Sequence, residues 1–169
     1  MTSVLITSDS HGLTKELDAM KEKHDVDLYI HCGDSELEFD AAELSAYYKV
    51  SGNCDFDTRY PDEEVLDLNG LRFFVTHGHL HQVKGNLTNL SYAAEEQEAN
   101  IVCFGHTHIA GAEKIGNQLF INPGSIRMPR NRVEKTYAIL SWESSNQVQV
   151  DFYTLDSGKV EGMSYQVSL

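Results

Sequence analysis

Five short apolar runs in the first two thirds of the chain each end in residues that bind metals or let the backbone turn, and this pattern limits the folds open to the sequence. Each run has the length and composition of a buried β-strand. The segments that follow the runs are Asp9-Ser10-His11, Gly33-Asp34, Gly52-Asn53-Cys54-Asp55, His77-Gly78-His79 and Gly105-His106-Thr107-His108. Because the carboxyl ends of strands in an open α/β sheet lie along one edge, we expect these five loops to converge there.

The first third of the chain alternates predicted strands and helices. Strands are predicted at residues 3–8, 27–32 and 47–52 from their β-branched and aromatic composition. Helices are predicted between them, at residues 14–23 and 39–46. Such βα units are typical of a parallel sheet with crossover helices.

Antiparallel hairpins and one more βα unit are predicted in the rest of the chain. The dipeptide Asn69-Gly70 joins two strand patterns, which is a strong hairpin signal, and a helix at 86–99 precedes a strand at 100–105. Residues 111–125 and 136–155 each fit two strands about a short turn. We therefore predict an α/β domain with mixed sheets, whose core is a sheet-rich sandwich flanked by helices.

Length and composition favour one compact domain over residues 1–169. Of the 169 residues 41% are hydrophobic, which is enough for one substantial core. No apolar stretch approaches the roughly 20 residues of a membrane span, and Asp9 comes too early for a signal peptide. Three cysteines without a paired spacing fit reduced thiols. These features predict a cytoplasmic protein that does not associate with membranes.

A formal net charge of -13 limits the partners of the chain. Such a field repels phosphate backbones, so we expect no extended nucleic-acid-binding surface. A local site that contains metal ions can still attract a small anionic substrate. The charge therefore argues against a DNA or RNA binder without arguing against phosphate chemistry.

Each of the five loops alone also has an ordinary structural explanation. Asp9 and His11 could be a helix cap and a loop histidine, and Gly-Asp or Gly-Asn dipeptides occur in ordinary turns. Either His-x-His pair could lie on the surface. These explanations do not account for five such segments at successive strand ends, with five of the eight histidines in three of them. Carboxylate, amide and imidazole groups are ligands of divalent metals, so together the loops predict a metal site.

The chain resembles the calcineurin-like metallophosphoesterase family from its first strand to at least Ser125. The residues that carry the resemblance are Asp9-x-His11, Gly33-Asp34, Gly52-Asn53, His77-Gly78 and Gly105-His106-x-His108. The small size and the segments GNCD and NPGS make it more similar to the compact prokaryotic phosphodiesterase branch, which is related to the retromer scaffold subunit of eukaryotes. The resemblance implies a four-layer α/β/β/α sandwich of two mixed β-sheets flanked by helices.

Carried over residue by residue, the resemblance implies two divalent metal ions per chain that share one ligand. The implied ligands are Asp9, His11, Asp34 and His108 for the first metal and Asp34, Asn53, His77 and His106 for the second. Asp34 would bridge the two ions. Manganese is the favoured ion, although iron, zinc, nickel and cobalt also accept these ligand types. A hydroxide activated by both ions would attack the phosphorus atom of the substrate.

Four residues are assigned to the reaction itself: Asp34, Asn53, Asp55 and His79. Here His79 would lie beside the substrate phosphate or orient a metal ligand. Many family members have a histidine that protonates the leaving group where this chain has Cys54, and a thiol is a poor general acid at neutral pH. Water, or Cys54 beside Asp55, would fill that role, which predicts slow hydrolysis biased to good leaving groups. The other interpretation of Cys54 is a small packing residue.

These features predict a metal-dependent phosphoesterase, and more specifically a phosphodiesterase rather than a monoesterase. The expected substrate is a small phosphodiester or phosphomonoester. Two alternatives remain, a non-catalytic scaffold of the same fold and a metal-binding regulator without turnover. A scaffold does not require every metal position to be filled, whereas all seven are filled here. Short edge strands in the C-terminal hairpins could also pair in a homo-oligomer.

Overall fold

Two β-sheets packed face to face, with a helix on each outer side, make up the computed structural model, which describes residues 1–169. The elements in chain order are β1 (Thr2–Thr7), α1 (Lys15–Lys23), β2 (Leu28–His31), β3 (Tyr47–Lys49), β4 (Glu63–Leu68), β5 (Leu71–Thr76), α2 (Thr88–Glu96), β6 (Ile101–Cys103), β7 (Gly111–Ile115), β8 (Gln118–Asn122), β9 (Thr136–Ser144), β10 (Gln147–Thr154), β11 (Gly158–Lys159) and β12 (Tyr165–Val167).

Both sheets mix parallel and antiparallel strands. The first has the order β11-β10-β9-β1-β2-β3, with β12 also paired to β10. Its strands β1, β2 and β3 are parallel, whereas β9 runs antiparallel to β1 and β10. The second sheet has the order β4-β5-β6-β8-β7, in which β5, β6 and β8 are parallel. The parallel strands therefore form one side of the first sheet, where the β9–β10 hairpin extends them, and the centre of the second sheet, where β4 and β7 flank them.

The central core lies between the two sheets, and alternating side chains build it. Val4 and Ile6 of β1 point into this core, while Leu5 between them points to the opposite face. From the facing strands, the rings of Phe73 and Trp142 meet with centroids 6.0 Å apart. Each such fully buried side chain stabilises the fold by about 1.5–3 kcal/mol. The core thus fixes the position of one sheet relative to the other.

The two helices cover the outer faces of the sheets. Helix α1 buries Leu17 and Met20 against the first sheet, and α2 buries Leu90 and Ala94 against the second. These spacings of three and four residues place each pair on one helix face. Neither helix has the length and apolar character needed to cross a lipid bilayer. The layers are helix, sheet, sheet and helix, which confirms the predicted four-layer sandwich.

The prediction of a helix at residues 39–46 is wrong. The structure has only one turn of 3₁₀ helix there, at Ala42–Leu44, and Ala41 before it has an extended backbone. Leu44 is the only buried residue of this turn, so the segment has no apolar face that packing could hold as a longer helix. The strands β11 and β12 were not predicted, because they are short and none of their residues is fully buried.

Candidate metal centre

The five polar loops converge at one edge of the sandwich, and backbone hydrogen bonds join four of them in two pairs. The amide of Asp9 donates to the carbonyl of Gly33 at 2.9 Å, and the amide of Gly105 donates to the carbonyl of His77 at 3.0 Å. A further bond crosses from the second sheet to the first, since the amide of His106 donates to Asp9 Oδ2 at 3.0 Å. The predicted meeting of strand ends is therefore present, and it involves both sheets.

The backbone is in the left-handed region at five of the predicted metal ligands. The φ angles are 54° at Asp9, 41° at His11, 58° at Asp34, 70° at His106 and 61° at His108. Positive φ is uncommon for residues other than glycine, and such residues cluster at functional sites. The surrounding structure holds this unfavourable backbone conformation, which turns the side chains toward one another.

Glycines leave room for the two buried carboxylates. A Cβ atom on Gly52 would overlap the carboxylate of Asp34, and one on Gly105 would overlap Ser8 Oγ and the carboxylate of Asp9. Asp9 and Asp34 can therefore lie directly against neighbouring backbone. The glycines in Gly52-Asn53 and Gly105-His106 are required by space rather than by turn geometry.

Carboxylate oxygens and imidazole nitrogens meet in two groups at this edge. One contains Asp9, His11 and His108, and the other contains Asp9, Asp34 and His77; within each group the ligand atoms lie within 4.8 Å of one another. Asp9 Oδ1 is 3.2 Å from His108 Nε2 and 3.0 Å from His77 Nε2. Asp34 Oδ2 lies between the groups, 3.3 Å from His77 Nε2 and 3.9 Å from His11 Nε2.

No lysine or arginine neutralises the two carboxylates. Burial raises the pKa of Asp9, but hydrogen bonds from His108 and His77 outweigh it and hold that pKa well below its usual range. Burial lowers the pKa of His77, and Asp34 and Asp9 reverse this and raise it to about 9. Buried carboxylates whose only cationic neighbours are imidazoles fit a divalent cation, which would displace the proton of His77 on binding.

Two of the imidazoles are oriented by an acceptor on their outer nitrogen. The Nδ1 atom of His11 lies 2.6 Å from Glu36 Oε1, and the Nδ1 atom of His108 donates to the carbonyl oxygen of Met128 at 2.7 Å. In both rings the Nε2 atom is then directed at Asp9 as the available ligand atom. Outer partners of this kind fix the tautomer and the orientation of metal-binding histidines.

His79 and His106 lie beside the second group. His79 Nδ1 is 3.0 Å from His77 Nδ1, and the ring of His106 meets that of His77 edge-on with centroids 5.0 Å apart. Burial and the neighbouring His77 lower the pKa of His106 to about 4. A neutral imidazole is the form that binds a metal ion.

Asn53 lies outside the two groups. Its side chain is exposed, and its amide contacts Cys54 Sγ at 3.6 Å. The loop itself is adjacent to the site, because the amide of Cys54 donates to Asp34 Oδ1 at 2.8 Å. The role of Asn53 as a ligand of the second metal stays a prediction.

Asp55 holds the loops together from outside the ligand groups. Its Oδ2 accepts from the amides of Asp34 at 2.7 Å and Gly52 at 2.8 Å, and its Oδ1 accepts from the amide of Glu36 at 2.8 Å. Three backbone donors therefore occupy the carboxylate that the sequence analysis assigned to the reaction. The geometry supports a positioning role, and the catalytic role of Asp55 stays a prediction.

Sequence reasoning assigned no contact to three side chains that support the site. Glu36 orients His11, Ser8 Oγ donates to Asp9 Oδ2 at 2.5 Å, and Ser125 Oγ donates to the carbonyl of Asp9 at 2.7 Å. Ser125 belongs to the Asn-Pro-Gly-Ser turn, whose composition marks a constrained loop. No pattern around Glu36 signals its contact, because it depends on the fold of a neighbouring loop.

The fold and the paired ligand groups define a metallophosphoesterase. Residues 2–145 match the calcineurin-like phosphoesterase superfamily domain. The chain therefore belongs to the calcineurin-like phosphoesterase superfamily, a metal-dependent family, which confirms the resemblance found in the sequence.

Relatives cover nearly the whole chain. It is 48% identical over 169 residues to the probable metallophosphoesterase YsnB of Bacillus subtilis (strain 168), with 99% of each chain covered. The crystal structure of a predicted phosphoesterase from Streptococcus pneumoniae TIGR4 has a TM-score of 0.95 at 36% identity, covering 99% of this chain and 98% of that one. Wild-type Vps29 of Entamoeba histolytica complexed with Zn²⁺ has a TM-score of 0.76 at 20% identity, covering 98% and 97%, and shares the fold. The two bacterial relatives support a hydrolase of phosphoesters.

Proposed function

We propose that this chain is a metal-dependent phosphodiesterase that uses two divalent cations, with manganese the favoured ion. The observation that carries the proposal is the pair of ligand groups that share Asp9 and whose carboxylates form ion pairs only with histidines, not with lysine or arginine. The first group, with His11 and His108, would hold one ion. The second, with Asp34 and His77, would hold the other. His106, whose ring contacts that of His77, and Asn53, whose neighbour Cys54 donates its amide to Asp34, would complete it.

Two ions at such a site supply Lewis acidity for both the attacking and the leaving oxygen of a phosphoryl transfer, and they lower the pKa of water. The residues of the chain keep their ligand atoms in place for this task. Glu36 fixes His11, Met128 O fixes His108, and Asp55 fixes the loops that carry Asp34 and Glu36. The rigid backbone around the site lowers the reorganisation needed when charge develops.

The charge around the site favours a diester over a monoester. Glu36 and Glu38 are exposed at the rim, and the chain has a formal net charge of -13. A phosphodiester carries one negative charge, whereas a monoester carries nearly two at neutral pH. The bound cations would attract both substrates, but the exposed carboxylates of the rim repel the second charge of the monoester and give the diester its advantage. This argument supports the diester as the preferred substrate.

Cys54 is unsuited to acid or base catalysis at neutral pH. Burial raises the pKa of its thiol to about 11, and the charges of Asp34 and Glu36 act in the same direction. A thiol with that pKa stays protonated but gives up its proton poorly, so a leaving group receives little help from it. The proposed enzyme therefore favours leaving groups that depart without a proton, such as nitrophenolate.

The test compares bis-p-nitrophenyl phosphate with the p-nitrophenyl monoester, with and without Mn²⁺, in the wild type and in Asp34→Asn. The proposal predicts faster cleavage of the diester, dependence on the metal and a rate at least about 100-fold lower in the variant. If the monoester is cleaved faster than the diester, the chain is a monoesterase and the proposed diesterase activity is wrong. Stoichiometric metal binding without any turnover would instead support a scaffold or a metal-sensing protein.

A further inference from the structure

A cavity of about 550 Å³ adjoins the metal centre. Its lining residues are Glu36, Leu37, Glu38, Cys54, Phe56, Asp57 and Arg59. It opens beside the first ligand group, because Cys54 Sγ, a Glu36 carboxylate oxygen and a ring nitrogen of His11 lie within 4.8 Å of one another. The cavity is therefore close enough to the metal centre to receive an ester group of a substrate whose phosphate contacts that centre.

An exposed aromatic ring stands on the wall of the cavity, on a loop that is firmly held. Phe56 is 89% exposed. Directly before Phe56 in the chain, the carboxylate of Asp55 accepts hydrogen bonds from three backbone amides. Directly after Phe56, the carboxylate of Asp57 accepts hydrogen bonds from the backbone amides of Phe39 at 2.8 Å and Arg59 at 3.0 Å. The exposure of Phe56 is therefore a fixed feature of an ordered loop, which is where binding residues are commonly found.

The remaining charge of the cavity is negative. The guanidinium of Arg59 lies 2.8 Å from Asp57 and 3.1 Å from Asp40, so two carboxylates neutralise it. Glu36 faces His11, while Glu38 is exposed and forms no ion pair. A group that carries its own negative charge would be repelled here.

Building on the proposed function, we propose that this cavity binds a non-phosphate group of the substrate, and that this group is aromatic and carries no negative charge. Phe56 provides the face against which a planar ring packs, and Leu37 provides the apolar side of the cavity. Glu38 provides the electrostatic selection against acidic rings. The substrates that fit are diesters of uncharged or cationic aromatic alcohols or of nucleosides.

Binding of phosphonates, which contain only one organic group and are not hydrolysed, tests this subsite without turnover. Isothermal titration calorimetry on Mn²⁺-loaded protein would compare methylphosphonate, phenylphosphonate and 4-carboxyphenylphosphonate. We expect phenylphosphonate to bind about three- to tenfold more tightly than methylphosphonate, and this advantage to disappear in Phe56→Ala. Tyr92→Ala is the matched control, because Tyr92 is a 63% exposed aromatic residue on α2 that does not line the cavity.

A second variant, Glu38→Gln, tests whether the cavity discriminates against negatively charged rings. We expect 4-carboxyphenylphosphonate to bind more weakly than phenylphosphonate in the wild type, and Glu38→Gln to narrow this gap by about two- to fivefold. Equal binding of methyl and phenyl compounds, or an advantage of the phenyl group that persists in Phe56→Ala, would overturn the subsite, as would no phosphonate binding. If phenylphosphonate binds more tightly than methylphosphonate while bis-p-nitrophenyl phosphate is not hydrolysed, the aromatic subsite is supported and the proposed diesterase activity is contradicted.

Discussion

The Nδ1 atom of His11 lies 2.6 Å from Oε1 of Glu36, and this contact leaves Nε2 of His11 facing the carboxylates of Asp9 and Asp34. Glu36 reaches His11 from a left-handed backbone conformation with φ of 57°. The hydrogen bond from the Glu36 amide to Asp55 stabilises this conformation. A carboxylate behind a metal-binding imidazole increases its basicity as a ligand. The contact therefore predicts that Glu36 acts on the metal through His11.

Replacing Glu36 with glutamine keeps an acceptor for His11 and removes the charge. We expect the affinity for Mn²⁺ to fall by about 10- to 100-fold, because the imidazole becomes a weaker and less fixed ligand. Calorimetric titration of the metal-free protein measures the effect. Glu38→Gln is the control, since Glu38 is exposed without contact to His11. Unchanged affinity in Glu36→Gln would show that the contact has no role in metal binding.

Replacing Asp55 with asparagine removes one of the oxygens that accept backbone amides and puts an amide donor in its place. We expect the free energy of unfolding to fall by about 1–3 kcal/mol, because at least one backbone donor is left without a partner. Urea denaturation measures the change. Asp67→Asn serves as a control, since the 70% exposed Asp67 side chain lies 3.4 Å from Arg72 and such surface pairs contribute about 0–1 kcal/mol. A fully stable Asp55→Asn protein without activity would favour the catalytic role instead.

Replacing Cys54 with histidine places a better proton donor beside the leaving group. We expect the turnover of an alkyl phosphodiester relative to an aryl one to rise by about tenfold or more, because alkoxides need the proton that nitrophenolate does not. Rates for methyl and nitrophenyl diesters, with the metal content of each protein measured, give this ratio. Cys54→Ala controls for loss of the thiol and should leave the ratio unchanged. An unchanged ratio in the histidine variant would remove the general-acid explanation of the leaving-group preference.

The buried His31 makes stability depend on pH. Its Nε2 lies 2.8 Å from Ser10 Oγ, its Nδ1 accepts the amide of Gly33 at 3.1 Å, and burial lowers its pKa to about 4. Because the folded pKa is below the unfolded value of about 6.5, the contribution of His31 is fully present above pH 6.5 and is lost as the pH falls toward 4. The size of this loss is about 1.4 kcal/mol per pH unit.

His31→Gln isolates this contribution, because glutamine can serve both polar partners and does not titrate. Unfolding of the metal-free wild type and of the variant at pH 8, 7, 6 and 5 gives the difference in stability. We expect the wild type to exceed the variant most at pH 8 and 7, and this advantage to shrink below pH 6.5. An advantage that grows on acidification would contradict the assigned direction of the pKa shift.

Much of the fold follows from local sequence patterns. The apolar runs that became β1, β5 and β6 are buried at most positions and β2 is buried at half of its positions, so composition and length were sufficient to predict them. The Asn69-Gly70 turn likewise predicted the β4–β5 hairpin. By contrast, β11 and β12 are held by pairing with β10, and at 2 and 3 residues they are too short for their composition to predict a strand.

The ligand types of the site could be predicted, but their arrangement could not. Aspartates and histidines after successive strands indicated a metal site from chemistry alone. Asp9 is common to both ligand groups only because of the distances between the folded loops, which the sequence does not reveal. The contact of Glu36 and the three amides at Asp55 depend on turns with positive φ or on other loops, and neither leaves a periodic signal.

The central claim is that two cations at these groups together support cleavage of a phosphodiester. The most direct measurement is a titration of the metal-free protein with Mn²⁺ that follows bound metal and hydrolysis of bis-p-nitrophenyl phosphate in the same samples. We predict that hydrolysis increases as the bound metal approaches two ions per chain, and that Asp34→Asn lowers both. Two bound ions without hydrolysis, or hydrolysis that is complete at one ion, would contradict the account.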